Sequence, residues 1–423
     1  MKLYHDYKKL SKIFSLIILG ILVLCPIVFS YAQTVGELND KINQKNNDIA
    51  KLEQEIAQYQ SELDDLGKQK DSLNGSIKQL DLSRKKLVAD IAVTQSKIDK
   101  TNLRIKELSL EINDKQGVIA NNTDVLALNI RKINEFEQND VLATMLSDSD
   151  FTTMWNDVDN MISIGDTIRE TTIGLRIIKG DLEDTRKETT DAKNELVVLK
   201  NKLADQKKIV DQNTAEKKKL LAQTKNSESS YQKLLKDRLA KKVAFEKELD
   251  DYESQLKYIL DPSKLPNSGV LSWPLDRIYI TSQYGMRSDG FHRGIDLRAS
   301  LGTPVKAMAD GVIAGVGNTD TQCAGVSFGR FILIKYNNGL ASTFGHLSLI
   351  KVTTGDKVVR GQIVGYSGNT GYSTGPHLHI SVYAKDAVDV KTIPSKSCLG
   401  KVLTQPIAPV NSYLNPMYYL SKI

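Results

Sequence analysis

Aromatic residues are scarce, at 6% of the 423-residue chain. So thin a supply argues against one large compact core and for extended helix over much of the length. Proline is equally sparse: the chain has ten, and none falls between Val35 and Ile112. A long helix there meets no break of that kind. Excess charge of either sign is missing too. The formal net charge is +6, and Lys2, Lys8, Lys9 and Lys12 against Asp6 supply three of it near the start, leaving about +3 (6 − 4 + 1). That is too little to imply a nucleic-acid partner, though it permits weak attraction to an anionic polymer. Cysteine is limited to Cys25, Cys323 and Cys398, and histidine to five residues, of which His292, His346, His377 and His379 fall within a single 90-residue stretch.

Residues 1–32 read as a secretory leader. A basic segment ending at Lys12 precedes an apolar run from Ile13 to Phe29, and Ser30-Tyr31-Ala32 offers small residues for cleavage. An uncleaved membrane anchor is the alternative, because the run approaches bilayer-spanning length. Leu24 before Cys25 and Pro26 after it do not suit lipid attachment. Either form of the leader places the remainder outside the cytoplasm, in the periplasm, cell wall or medium.

From Val35 to Ile112, positions in alternating steps of three and four carry mostly apolar residues, among them Val35, Leu38, Ile42, Ile49, Leu52, Ile56, Leu87, Ile91, Ile98, Ile105 and Leu108, with Lys45, Lys70, Arg84, Thr94 and Thr101 as register markers or points of weakness. A 3.5-residue period sustained this long predicts a coiled coil. The pattern blurs after Ile133, and a Met- and Trp-bearing segment at 141–163 reads as a bend or tip with turn residues at Asp148-Ser149-Asp150. That segment either packs the tip or docks a partner. A second heptad run passes through Leu175, Leu182, Leu196, Leu203 and Val210, with a phase shift near Leu235–Val243. The expectation for 33–260 is therefore an antiparallel helical hairpin with its tip near 137–165; a parallel dimer is the other arrangement. Two prolines in Asp261-Pro262-Ser263-Lys264-Leu265-Pro266 mark a linker at 261–268.

Residues 269–423 change texture to short β-rich runs at 278–282, 312–316, 331–336 and 380–383, with turns at Asp310-Gly311 and Asn337-Asn338-Gly339. This predicts a small all-β domain built on an antiparallel sheet. Leu340 to Phe344 is expected to pair with Phe331–Tyr336. Cys323 and Cys398 are expected to form a disulfide tying the 318–329 loop to the tail.

The histidines carry the chemistry. His377 and His379 alternate along a strand, so both imidazoles point into one space. Gly294 between His292 and Asp296 disfavours a helix, so that pair falls on a strand end and loop. A hydrolytic zinc site needs three protein ligands and one open position. The residues alone allow His292, Asp296 and either C-terminal histidine as ligands, with the remaining histidines free to move protons or stabilise an oxyanion.

The segments Phe291-His292-Arg293-Gly294-Ile295-Asp296, Thr343-Phe344-Gly345-His346-Leu347-Ser348 and Gly365 through Gly375-Pro376-His377-Leu378-His379 resemble the signatures of the lysostaphin/LytM-type zinc peptidoglycan endopeptidases over roughly 268–390. The resemblance implies that His292, Asp296 and His379 bind zinc and that His346 and His377 assist catalysis. It implies peptidoglycan as the substrate. Phe344-Gly345 stands where the family carries Tyr-Ala, removing a hydroxyl expected to reach substrate. The whole layout resembles cell-division hydrolases of the EnvC and PcsB kind, which implies a membrane partner resembling FtsE–FtsX. Some relatives of that layout act instead as non-catalytic activators of other wall hydrolases; here all five site positions are filled.

Overall fold

The computed structural model describes residues 35–66, 72–138, 151–287, 290–395 and 397–422. The leader at 1–32 and residues 139–150 of the expected tip lie outside them. Four long helices come first: α1 (Val35–Leu66), α2 (Leu73–Gln138), α3 (Phe151–Thr224) and α4 (Glu228–Ser254). The second heptad run breaks at residues 225–227, about ten residues before the phase shift suggested. Lys225 and Asn226 both adopt left-handed backbone, with φ of 48° and 56°. A chain entering that conformation cannot continue a right-handed helix, and extended Ser227 starts α4 afresh.

The chain divides into two units, Met1–Asn43 with Leu103–Lys187, and Gln44–Asn102 with Glu188–Ile423. In the first, Lys115 on α2 donates to Thr185 Oγ1 on α3 at 2.8 Å. In the second, α1 and α2 run antiparallel: Leu63 and Leu66 pack on Leu82, while Lys45 pairs with Asp99 at 3.6 Å and Glu53 with Lys97 at 3.6 Å. The α2 segment also meets α3 and α4. Asp81 accepts from Lys217 at 2.6 Å, and Glu228 Oε2 accepts from the Leu73 amide at 2.8 Å.

The C-terminal part of this second unit is an antiparallel β domain. Its strands are β1 (Ile280–Ser282), β2 (Gly285–Arg287), β3 (Gly290–His292), β4 (Ile295–Arg298), β5 (Pro304–Lys306), β6 (Gly311–Asn318), β7 (Arg330–Tyr336), β8 (Leu340–Ile350), β9 (Lys357–Val358), β10 (Ile363–Ser367), β11 (His377–Ala384), β12 (Asp389–Ser395), β13 (Lys401–Ile407) and β14 (Tyr413–Leu414). The main sheet runs β1-β4-β11-β8-β7-β6-β9, with β10 joining β8 and β5, and β14 joining β11. The β7–β8 hairpin pairs Ile334 with Ser342 across the Asn-Asn-Gly turn, where Gly339 takes φ 86°. A core of Ile295, Leu297, Ile332, Ile334, Phe344, Leu378 and Ile380 holds the sheet. The β12–β13 hairpin stands outside it.

Helices and sheet share a packed face within the second unit. Leu87 of α2 and Ile209 of α3 bury against Leu301 and Tyr366. Asp205 of α3 accepts from Lys351 at 2.7 Å and from the Tyr366 hydroxyl at 3.0 Å. Burying four such side chains contributes several kcal/mol, at roughly 1.5–3 each.

Candidate functional site: a histidine and aspartate centre beneath a helix

Adjacent strands bring the site together. Across β4 and β11, Asp296 stands directly opposite His379, and His379 in turn faces Gly345 on β8. His292 ends β3, one short turn before β4. Gly294 makes that turn possible, because a Cβ there would lie 2.6 Å from His379 Cε1 and 2.5 Å from the Ile380 carbonyl. His346 arrives by a different device. Arg330 pairs with Leu347 and Ile332 with Phe344, so Gly345 and His346 together oppose Phe331 in a β-bulge. His346 takes φ 61° there, unusual for a residue with a Cβ, and its amide donates to the Phe328 carbonyl at 2.7 Å.

The three donor atoms are close-set. His292 Nε2 is 3.2 Å from His379 Nδ1, His379 Nδ1 is 2.9 Å from Asp296 Oδ1, and His292 Nε2 is 3.3 Å from Asp296 Oδ1. A tetrahedral zinc with bonds of about 2.0–2.1 Å spaces its ligands about 3.3 Å apart, so this triangle suits such an ion. His292, Asp296 and His379 are thus a group able to hold a metal. Each ligand is oriented from behind, as metal ligands require. His292 Nδ1 donates to the Gln283 carbonyl at 2.9 Å, leaving Nε2 unprotonated. His379 Nε2 bonds Ser381 Oγ at 2.9 Å, which turns Nδ1 inward. Arg287 Nη2 holds Asp296 Oδ2 at 3.0 Å, leaving Oδ1 to the triangle.

His346 and His377 stand beside this group with ring centres 4.6 Å apart. His346 Nδ1 donates to the Thr370 carbonyl at 2.8 Å, and His377 Nδ1 to the Gly375 carbonyl at 2.8 Å. Carbonyls only accept, so in both rings Nε2 is left for other partners; that of His377 lies 3.7 Å from Asp296 Oδ1. Burial, then the neighbouring His377 and His379, push His346 well below the usual imidazole range. His379 is lowered by burial as well. For Asp296, burial alone would raise the carboxyl, but its close contacts with the His292 and His379 rings outweigh it and hold the group ionised.

Above the site lies α4. A cavity of about 600 Å³ is lined by the histidines and Asp296 on one side and by Phe245, Leu249, Asp250 and Glu253 of α4 on the other. Phe245, 2% exposed, is seated in a cluster with Cys323, Val326 and Leu403. Cys323 and Cys398 are paired as a disulfide beneath it, their Cα atoms 6.3 Å apart. Glu248 Oε2 accepts from the Ser397 amide at 3.0 Å. Glu253 Oε1 accepts from the Tyr413 hydroxyl at 2.8 Å and the Ala408 amide at 3.2 Å. Burial raises the Glu253 carboxyl to about 7, and its Oε2 is buried without a hydrogen-bond partner among the described residues. An acid protonated at Oε2 fits that setting.

One sequence expectation needs correction. Phe344 is fully buried in the sheet core, so a hydroxyl on that ring would not reach a substrate. Gly371 packs between loops: a Cβ there would clash with the Gly329 backbone and the Ser327 carbonyl. Arg287 and the α4 residues were not foreseen. Ser381, two residues beyond His379 on one strand face, was findable from spacing; nothing in the helical pattern marked Phe245 or Glu253 as facing a site.

Residues 290–390 match the family model Peptidase family M23. The chain therefore carries an M23 domain at its C-terminal end, of the lysostaphin/LytM type, preceded by a long helical region. An uncharacterized metalloprotease of Buchnera aphidicola is 39% identical over 111 residues, spanning 26% of this chain and 28% of that protein. The peptidoglycan DD-endopeptidase ShyA of Vibrio cholerae is 39% identical over 94 residues, spanning 22% and 20% respectively. The catalytic domain of lysostaphin from Staphylococcus simulans is similar at 30% identity over 33% of this chain and 90% of that one, with a TM-score of 0.25. The match spans about a quarter of the length of these curated relatives.

Proposed function

We propose that this protein is an exported zinc endopeptidase that cuts peptide bonds of peptidoglycan and is held closed by α4. The observation that carries the reading is the triangle of His292, Asp296 and His379 with two further imidazoles beside it. Zinc at that triangle would supply Lewis-acid chemistry, activating a water near neutral pH and polarising a carbonyl. The neutral ring of His346 takes the proton of the attacking water at Nε2, its Nδ1–H being committed to Thr370. His377, its Nδ1–H fixed on Gly375, takes a proton from solvent at Nε2 and donates it as a hydrogen bond to the developing oxyanion. Peptidoglycan as substrate is supported by the similarity to the peptidoglycan DD-endopeptidase ShyA.

Closure by α4 is supported by the seating of Phe245, Asp250 and Glu253 across the cavity from the histidines. A membrane complex resembling FtsE–FtsX, acting on the helical region, would be the opener; this part rests on the layout of the chain. The test compares the full chain, Phe245→Ala and Phe245→Ala/His292→Ala on purified sacculi, with zinc or chelator, reading released muropeptides by mass spectrometry. Zinc-dependent release is expected from Phe245→Ala, with less from the native chain and none without His292. No release from zinc-loaded Phe245→Ala would overturn the enzyme reading in favour of an activator of other hydrolases. Equal release from native and Phe245→Ala would overturn closure.

A further inference from the structure

One charged contact in the groove has no part in that hydrolytic scheme. Arg293, next to the ligand candidate His292, forms an ion pair with Asp250 of α4. Its guanidinium carbon also lies 5.5 Å from the Tyr413 ring centre and 6.0 Å from that of Phe291. Both rings belong to the β domain, so they hold the guanidinium in place whether or not α4 is present. The acidic groups it meets, Asp250 and Glu253, are both carried by α4. Asp250 is half-exposed, at 54%, and a pair of that kind adds little to stability. Arg293, Asp250 and the histidines line one cavity. Arginine's planar fork matches a carboxylate in two-point fashion. Once α4 leaves, a pre-oriented cation remains beside the centre with its anion gone.

We infer that Arg293 is a specificity residue that receives a carboxylate of the peptide substrate, and that Asp250 occupies this position while α4 lies in the groove. The inference rests on the peptidase reading above and deepens it: the preferred substrate carries an anion near the scissile bond. That carboxylate has two possible sources, the C-terminus of a peptide strand or an acidic side chain within it.

The experiment uses the full chain opened by Phe245→Ala and carrying Asp250→Asn, alone and combined with Arg293→Gln or Arg293→Lys. The probes are two pairs of synthetic branched peptides. One pair differs by carboxylate or amide at the C-terminus, the other by carboxylate or amide on a side chain. Two readouts are taken: kcat/KM with zinc, and Kd of fluorescein-labelled peptides by anisotropy with zinc removed. In one pair, Asp250→Asn is expected to favour the carboxylate by about tenfold to a hundredfold in both readouts; that pair identifies the source. Arg293→Gln brings the ratio to about one, and Arg293→Lys keeps part of it. Bound zinc per chain checks that each variant is folded. No carboxylate preference in either pair, or a preference unmoved by Arg293→Gln, would overturn the inference. Cleavage with an unmoved ratio leaves the peptidase reading standing. The expected binding ratios without any cleavage would remove the peptidase reading and keep the carboxylate receptor.

Discussion

Glu253→Gln should uncouple the closure of α4 from pH. In the docked state Glu253 is fully buried, and its carboxyl is raised from 4.5 to about 7. On a released helix it would return to the ordinary value. A raised folded-state pKa means that the docked state binds the proton more tightly. Its contribution is complete below about pH 4.5 and is lost as pH rises through about 7. At about 1.4 kcal/mol per pKa unit, the shift of roughly two and a half units corresponds to docking weakened by on the order of 3 kcal/mol between pH 4 and pH 8. That is roughly a hundredfold change in the fraction of open molecules. Glutamine keeps an acceptor for Ala408 and Tyr413 but cannot ionise. The assay is hydrogen exchange of the 242–253 amides in wild type and Glu253→Gln, compared at equal pH from 4 to 8.5. Wild type should lose protection relative to the variant progressively between about pH 4.5 and 7, and the two profiles should run parallel above that. Parallel profiles across the range would refute the assignment of a protonated Glu253.

Two further outcomes follow from the geometry. Gly294→Ala should abolish stoichiometric zinc binding by equilibrium dialysis while the sheet still melts cooperatively, because the added methyl meets His379 and the Ile380 carbonyl; a variant with native zinc affinity would contradict the proposed role of that turn. Replacing Cys323 and Cys398 together by serine should cost about 2–4 kcal/mol in urea unfolding and loosen α4, since Phe245 packs directly on this pair. Unchanged exchange of α4 in that variant would separate the disulfide from closure.

Much of the site was legible in the chain itself, because its chemistry is local. His377 and His379 share a strand face by simple alternation, and Gly294 argues for a loop rather than a helix between His292 and Asp296. The 3.5-residue period likewise marks the residues of α1 to α3 as helical, but it runs on from α1 into α2, which the structure makes separate antiparallel helices. What tertiary structure decided is of another kind. The choice of His379 over His377 for the triangle comes from its registration opposite Asp296 on β4, a pairing between residues 83 apart. The bulge that turns His346 inward arises from a mismatch between β7 and β8. The seat for α4 joins Phe245 to Cys323, Val326 and Leu403, which no periodic pattern links. Periodicity reports which face of an element is apolar, whereas the partner that covers it is set by long-range packing. Here Phe245, Leu249, Asp250 and Glu253 of α4 lie in the groove of the site, a placement that no spacing along the helix specifies.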